Sequence, residues 1–379
     1  ATFVPPSVFD YATVFTSQPD NRVLIWITGD GKGPGTLRRL NPNGSIDPTF
    51  AILIPGLRWV NSARLLPDGR IEVEAEYLVE GVTITSVLIL RSNGSIEGDL
   101  TPPTRLVNFS ARAAVAPGYP PQIGGFVLRN AGPRRVLLRG VGRGMPIDLP
   151  GLTLLPDPVL TLYRGNEILA RDAGSALAPG ITTVGQRMGA FALRPMFPPN
   201  EPTRDSALIP TLAAGAYTLH LGSAEGRSGV SLFEFYDSDP ANAAASVVNV
   251  SIRGRAAPGT DTLIAGFVID GPPARALRLL IRGIGPGLES FGVSGGIADP
   301  QITLFGQTAA IVFNDNWADH PDLPALIGAA ERAGAFPLPR ASRDAALLVD
   351  LYPGAYSVHG RAVDGSAGEM LIELYVIED

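Results

Sequence analysis

The chain has no cysteine and a single lysine, Lys32. The first absence excludes disulfides, zinc–thiolate sites and thiol nucleophiles together. It leaves the compartment open, because secreted chains also do without cysteine. With nearly all positive charge on arginine, scattered without a basic run, and a net charge of −6, the electrostatic footprint of a nucleic-acid partner is missing. No apolar run reaches the roughly 18 residues a membrane helix needs, so membrane insertion is not expected. The sequence opens on Ala1 rather than Met, which fits a mature or trimmed product.

What is abundant is glycine and proline, 44 and 35 of 379 residues, a composition suited to many turns between short strands. The hydrophobic fraction of 45% and charged fraction of 17% describe an ordinary foldable chain rather than a disordered one. The length predicts two or three domains, since single cores stop growing below this size.

Two internal periods set the boundaries. In residues 1–103, QPDNRVLIWI (18–27) and LPDGRIEVEA (66–75) each place a Pro-Asp turn before a run read as alternating. The tetrapeptide NGSI follows each, beginning at Asn43 and again at Asn93. Pro67-Asp68-Gly69 supplies one tight turn, Arg70 to Tyr77 alternates as a half-buried strand, and Asn93-Gly94 supplies a second hairpin turn. Each unit is therefore a small antiparallel meander. The first copy resembles the delta-60 repeat of secreted bacterial proteins, a propeller-blade-like unit ending in RLNxxGSxDxxF. Arg39, Leu40, Asn41, Gly44, Ser45, Asp47 and Phe50 match that ending, and the second copy departs from it at Glu97 and Leu100. Propellers close with about four to eight blades, so two units imply either further blades upstream in a longer precursor or completion by neighbouring chains. A small two-unit sandwich is the remaining possibility.

A longer period covers the rest. LVNFSAR (106–112) returns as VVNVSIR (247–253), IGGFVL (123–128) as IAGFVI (264–269), and LLRGVG (137–142) as LIRGIG (280–285). DPVLTLY, GAFAL, RDSALI, AGAY and LFEFY return in the same order as DPQITLF, GAFPL, RDAALL, PGAY and LIELY. These blocks define two copies of one domain, 104–238 and 239–379. Each is a series of short Val/Ile/Leu/Phe/Tyr runs bounded by turn residues, the pattern of a β-sandwich. A helix is expected from about Asp322 to Ala335, capped by Asp322 with Pro324 in its first turn; the matching ITTVGQRMGAF predicts a shorter one. The pair resembles a tandem module at the C-termini of large secreted proteins of Gram-negative bacteria, and its AGAYT and PGAYS segments are similar to the terminal hairpin of jelly-roll domains on secreted peptidases. The expected fold is mostly β: a propeller-like or meander N-terminal segment followed by two tandem jelly-roll or Ig-like sandwiches. The polar linker DSDPANAAAS (237–246) predicts limited hinging between them.

Candidate chemistry is sparse. His220 and His359 stand at equivalent places past the repeated GAY segment and read as parts of a repeated strand; His320 has no counterpart. GVSGG (292–296) has the G-x-S-x-G pattern, but that nucleophile motif needs a strand, an elbow and then a helix, whereas a strand follows here. GDGKGPG (29–35) lacks the spacing of either phosphate-cradling loop and reads as a turn. FNDNWADHPD (313–322) places Asp315, Asn316, Asp319 and Asp322 on one loop, which could offer oxygens to calcium, although Asp and Asn also form turns and caps. Arg204-Asp205, Arg343-Asp344, Arg139 and Arg282 recur in both copies. Recurrence argues for loop-fixing ion pairs, because a scaffold needs the same pin twice and an active site once. Glu234 and Glu373, flanked by apolar residues, are expected on the solvent face of the last strand.

No catalytic, cofactor-binding or metal-ligating residue is assigned. The expectation is a non-enzyme without a cofactor: an extracellular or cell-surface structural or adhesive protein that self-assembles into a filament or surface layer, its N-terminal TFVPPSVFDYATVF adding as a strand to a neighbour. Its expected partners are copies of itself or other surface proteins. The alternative is a carbohydrate-binding accessory region of a secreted hydrolase, weakened by having only Trp26, Trp59 and Trp317 in unrelated contexts for stacking on glycans.

Overall fold

A computed structural model describes residues 12–27, 35–50, 52, 54, 56–79, 82–97, 104–129, 133–147, 150–198, 200–237 and 246–378. These residues are mostly antiparallel strand and fall into two compact units, one before Thr104 and one beginning there. No helix among them is long and apolar enough to cross a membrane.

The first unit holds two small sheets. β1 (Ala12–Ser17), β2 (Val23–Ile27) and β3 (Thr36–Leu40) pair in that order. β4 (Leu57–Leu65), β5 (Ile71–Val79), β6 (Val82–Leu90) and β7 (Ile96–Glu97) form the other. Alternation decides which residues turn inward: Ile71, Val73, Ala75 and Tyr77 of β5 are buried and join Leu24, Trp26, Leu37 and Phe50 in one apolar cluster. The repeated NGSI is a repeated turn. Asn43 Oδ1 accepts from the backbone N–H and the hydroxyl of Ser45, at 3.0 and 2.7 Å, and Asn93 does the same for Ser95 at the same distances. Gly44 (φ 85°) and Gly94 (φ 86°) occupy the left-handed region that the turn requires. Most of GDGKGPG and of TFVPPSVFDYATVF lies outside the described residues. The end of the latter is β1, paired with β2 of its own chain.

The second unit contains both long repeats. The first copy supplies β8 (Arg105–Val115), β9 (Gln122–Arg129), β10 (Arg134–Val141), β11 (Pro158–Arg164), β12 (Glu167–Asp172), α1 (Pro179–Arg187), β13 (Ser206–Leu208), β14 (Thr211–Leu212), β15 (Gly215–Ser223) and β16 (Gly229–Asp237). The second supplies β17 (Ser246–Ala256), β18 (Leu263–Asp270), β19 (Leu277–Ile284), β20 (Pro300–Phe305), β21 (Ala310–Asn314), α2 (Leu323–Ala333), β22 (Ala345–Leu351), β23 (Gly354–Ala362) and β24 (Gly368–Val376).

Pairing runs through two antiparallel ladders. One has the order β13/β14, β10, β16, β8, β18, β23, β20, β21. The other has the order β12, β11, β15, β9, β17, β24, β19, β22. Among the described residues a single residue pair, Ala114–Arg255, joins them, and neither closes on itself. The inner faces meet in one apolar cluster that includes Phe109, Phe126, Phe233, Phe235, Ile252 and Phe267 from both copies.

Each ladder is thus half first copy and half second. β8 pairs with β18, placing Phe109 opposite Phe267, and β9 pairs with β17, placing Phe126 opposite Val250. Hinging between the copies, expected from the linker, would have to break both ladders and divide a shared core. The middle of that linker lies outside the described residues.

Candidate functional site

The outer face of each ladder carries one buried charge cluster, roofed by a helix. In the first copy, Arg139 of β10 stands directly opposite Glu234 of β16. Arg139 Nε donates to Glu234 Oε2 at 2.7 Å and Nη1 donates to the Phe191 carbonyl at 3.0 Å, while Tyr236 Oη donates to Glu234 Oε1 at 2.7 Å. In the second copy Arg282 of β19 faces Glu373 of β24, with Nε and Nη2 donating at 2.9 and 2.5 Å. Arg282 Nη1 donates to the Phe336 carbonyl at 2.6 Å and Tyr375 Oη to Glu373 Oε1 at 2.9 Å. Each guanidinium also lies over a phenyl ring, 4.6 Å from Phe191 and 4.1 Å from Phe336.

Glu234 and Glu373 therefore do not sit on a solvent face; they are 2% and 7% exposed. The expectation fails because α1 and α2 cover the outer side of the sheet there, packing on Leu137 and Tyr236 in one copy and on Leu280 and Tyr375 in the other. Strand alternation correctly puts these glutamates on the outer face, but it does not say that a helix covers that face. The recurrence of both Arg and Glu at matching positions was the available signal for a pair.

The recurrent aspartates hold the following turns. Asp205 Oδ1 accepts from Gly142 N–H at 2.6 Å, and Asp344 Oδ1 from Gly285 N–H at 2.8 Å. A side chain on Gly142 would lie 1.9 Å from the Leu155 carbonyl and one on Gly285 2.0 Å from that of Ile297, so only glycine fits where the strand passes this close. Arg204 and Arg343 instead reach outward to Glu225 and Asp299, each at 2.6 Å. Burial raises the pKa of Glu234 and of Asp205, with Arg139 opposing it in both. Burial, reinforced by Glu234, likewise raises that of Tyr236.

The copies differ beneath their helices. Trp317 N–H donates to the Asp344 carbonyl at 2.8 Å, and Ala176 N–H makes the equivalent bond to the Asp205 carbonyl at 3.0 Å. An indole thus stands in the second copy where the first has a methyl group. Trp317 is 6% exposed and packs with Leu280, Leu326 and Ala329. In the first copy a cavity of about 90 Å³ opens instead, lined by Arg139, Ala176, Leu177, Ile181, Gly185 and Ala190 among others. The α2 boundaries follow the sequence reading: Asp322 caps Ala325 N–H at 3.1 Å and Gly334 ends the helix at φ 67°.

The remaining candidates lie apart from these clusters. His220 packs on Tyr163 (4.6 Å between ring centroids) and His359 on Phe305 (4.4 Å), in strands β15 and β23. Burial, with Arg253 and Arg112 respectively, lowers both imidazole pKa values. GVSGG forms the loop between a short 3-10 turn (Pro286–Phe291) and β20. In the acidic loop, Asn314 Oδ1 accepts from Ala346 N–H at 2.9 Å and His320 Nδ1 from Asp322 N–H at 3.1 Å. Among the described residues no group of three or more His, Asp or Glu is arranged to hold a metal. Trp26 and Trp59 are not in unrelated contexts: their rings meet edge-on at 5.8 Å.

No family model matches this chain. A search of curated proteins finds no relative either. Among solved structures, PNGF-II in the C2 space group is similar at 8% identity over 97% of this chain and 90% of its own, with a TM-score of 0.16. The crystal structure of the STIV MCP is similar at 13% identity over 74% of this chain and 96% of its own, with a TM-score of 0.19. Scores this low carry no argument about fold or function.

Proposed function

We propose that this chain is a non-catalytic structural or adhesive protein of the extracellular or cell-surface space, assembling with copies of itself or with other surface proteins. The observation that carries this reading is what the duplicated charged residues do. Arg139 and Arg282, Glu234 and Glu373, and Asp205 and Asp344 all bind one another or the chain's own backbone in both copies. Such residues serve a scaffold that must be pinned twice.

At the level of fold, the strand order supports two jelly rolls. Counting strands within each copy, with β13 and β14 as one, the order is sixth, third, eighth, first in one layer and fifth, fourth, seventh, second in the other. That is the double Greek-key connectivity of an eight-stranded jelly roll. The two N-terminal meanders are read as propeller-blade-like repeats of the delta-60 kind. Self-assembly draws support from the ladder ends, where β12 exposes Ile168 and Leu169 and β21 exposes Ile311 and Phe313; an edge strand with apolar side chains is a template for pairing. Light scattering and negative-stain imaging of native particles from the producing cell's surface test the proposal. Rings or filaments are expected, and a monomer at every concentration overturns self-assembly.

A further inference from the structure

We propose that the outer face of β8, β18, β23 and β20 binds an acidic polysaccharide through the carboxylates on its sugar rings. The inference rests on the adhesive reading above and names the chemistry to which the protein would adhere.

The fold leaves this face open. α1 lies over β10 and β16 and α2 over β19 and β24, so neither helix covers these four adjoining strands of the first ladder. Alternation sorts their side chains: Leu263, Ala265 and Phe267 of β18 are buried, whereas Ile264 and Gly266 between them are half-buried on the outer side. Register then assembles two cross-strand rows, Arg112–Ile264–His359 and Ser110–Gly266–Ser357. A Cβ on Gly266 would lie 2.8 Å from Ser110 Oγ, so glycine leaves bare backbone between the two serine hydroxyls. Phe305 of β20 closes the rows, its ring 4.4 Å from that of His359.

The charges on this face are unbalanced. Arg112 is half-buried, and among the described residues no hydrogen bond or ion pair engages its guanidinium. Of its three nitrogens only Nε is fully buried; Nη1 and Nη2, equally unbonded, remain accessible. Its charge adds to burial in lowering the pKa of His359, which places the two side chains close together. Arg361, exposed on β23 two residues beyond His359, donates through Nε and Nη2 to the neutral amide oxygen of Gln301, at 2.9 and 2.6 Å. Among the described residues of these four strands the one carboxylate is Asp270, at the far end of β18 and 4.0 Å from Arg105. Two guanidiniums without acidic partners, in a chain of net charge −6, mark a face built for an anion. The other ladder lacks the arrangement. Arg253, the counterpart of Arg112, lies 3.9 Å from Glu369, whose own counterpart is Val230, and Gly222 stands at the place of Arg361.

Spacing and surroundings select the partner. Arg112 and His359 are about 10 Å apart at the backbone, two strand spacings, and Arg361 is about 7 Å further along β23. Single cations set this far apart suit single carboxylates strung along a polymer rather than one multiply charged phosphate. A carboxylate is planar and accepts two parallel bonds from a guanidinium fork. An acidic peptide fits less well, because the N–H and C=O groups of these strands are used within the ladder and offer nothing to a second main chain. Sugar hydroxyls, by contrast, match the hydroxyls of Ser110 and Ser357, and a sugar ring can lie against Phe305.

Calorimetric titration of the full chain at low salt would compare a galacturonate hexamer with its methyl ester, which keeps the rings and removes the charge, with a glutamate hexamer and with a sulfated glucan hexamer. The galacturonate is expected to bind saturably and most tightly, and its methyl ester not at all. Arg112→Gln and Arg361→Gln should each weaken binding about tenfold. Arg64→Gln, which removes an exposed arginine of the first unit paired with Glu72, should leave it unchanged. Neither Arg112 nor Arg361 holds a carboxylate, so both variants should melt with the parent; Arg361, being exposed, serves should replacement of Arg112 disturb folding. The proposal is overturned if the galacturonate does not bind, if any of the other hexamers binds as tightly, or if either folded arginine variant binds as the parent does. Particle size decides the assembly reading independently, so failure here does not touch it.

Discussion

Beneath α2 a tryptophan seals the Arg282–Glu373 pair; beneath α1 an alanine leaves a cavity beside the Arg139–Glu234 pair. The pins are nevertheless the same, Arg opposite Glu with a Tyr hydroxyl on the second carboxylate oxygen. Ladder register fixes the pin, because cross-strand partners are dictated by pairing. The lid is fixed by the loop and helix, which differ: α1 has 9 residues and α2 has 11. A duplicated scaffold can thus keep one copy closed for strength while the other acquires a pocket.

Breaking the pin on each side tests this most strongly. Glu373→Ala strands Arg282 in a sealed site and should cost about 3–5 kcal/mol in denaturant titration. Glu234→Ala should cost less, because water can enter beside Arg139; equal losses would contradict the comparison. Trp317→Ala opens in the second copy the space the first already has, with an expected cost of about 3–5 kcal/mol. A loss below about 1 kcal/mol would mean that the indole is not the seal.

A second comparison sets the N-terminal turns against each other. Gly44→Ala and Gly94→Ala each place a Cβ in the left-handed region and should each cost about 1–2 kcal/mol. The turns have the same geometry, so similar thermal shifts are expected, and a marked asymmetry would show that the repeats are not equivalent in energy.

The smallest effects concern pH and differ between the units. In the first unit, bonds from the Thr49 hydroxyl and N–H and from Arg39 hold Asp47 at about 2, below its ordinary 3.8, against the opposing effect of burial. A carboxylate with a depressed pKa contributes stability that is present above 3.8 and lost as pH falls towards 2. In the second unit, His220 and His359 have lowered pKa values, so the folded state binds fewer protons than the unfolded chain does. Their contribution declines as pH falls below their ordinary 6.5. The two histidines should therefore weaken the second unit as pH falls below about 6.5, while Glu234 and Asp205, whose pKa values burial raises, act in the opposite sense. Replacing both histidines by Gln should flatten its profile just below about pH 6.5, and an unchanged slope would rule the imidazoles out.

Much of the fold was legible from the sequence. Alternation in Ile71 to Tyr77, the capping of α2 by Asp322 and the NGSI turns are local events, decided by side-chain period, by a carboxylate three residues from an N–H, and by a glycine at positive φ. The burial of Glu234 and the contact of Trp26 with Trp59 were not legible, because both depend on which element covers which face. The contrast between Ala176 and Trp317 was also hidden. The two residues lie in segments of different length and sequence, and only their bonds to the Asp205 and Asp344 carbonyls establish that they correspond.

By itself the sequence determined two sets of repeats, strands of period two separated by glycine and proline turns, and charged residues recurring in step. The tertiary structure alone decided that the long repeats interleave in common ladders, that helices convert outer-face glutamates into buried partners, and that one copy keeps a cavity. The reason is physical: turns and alternation act between residues a few positions apart, whereas ladder partners and roofing helices are brought together across tens of residues, as with Arg139 and Glu234 at a separation of 95.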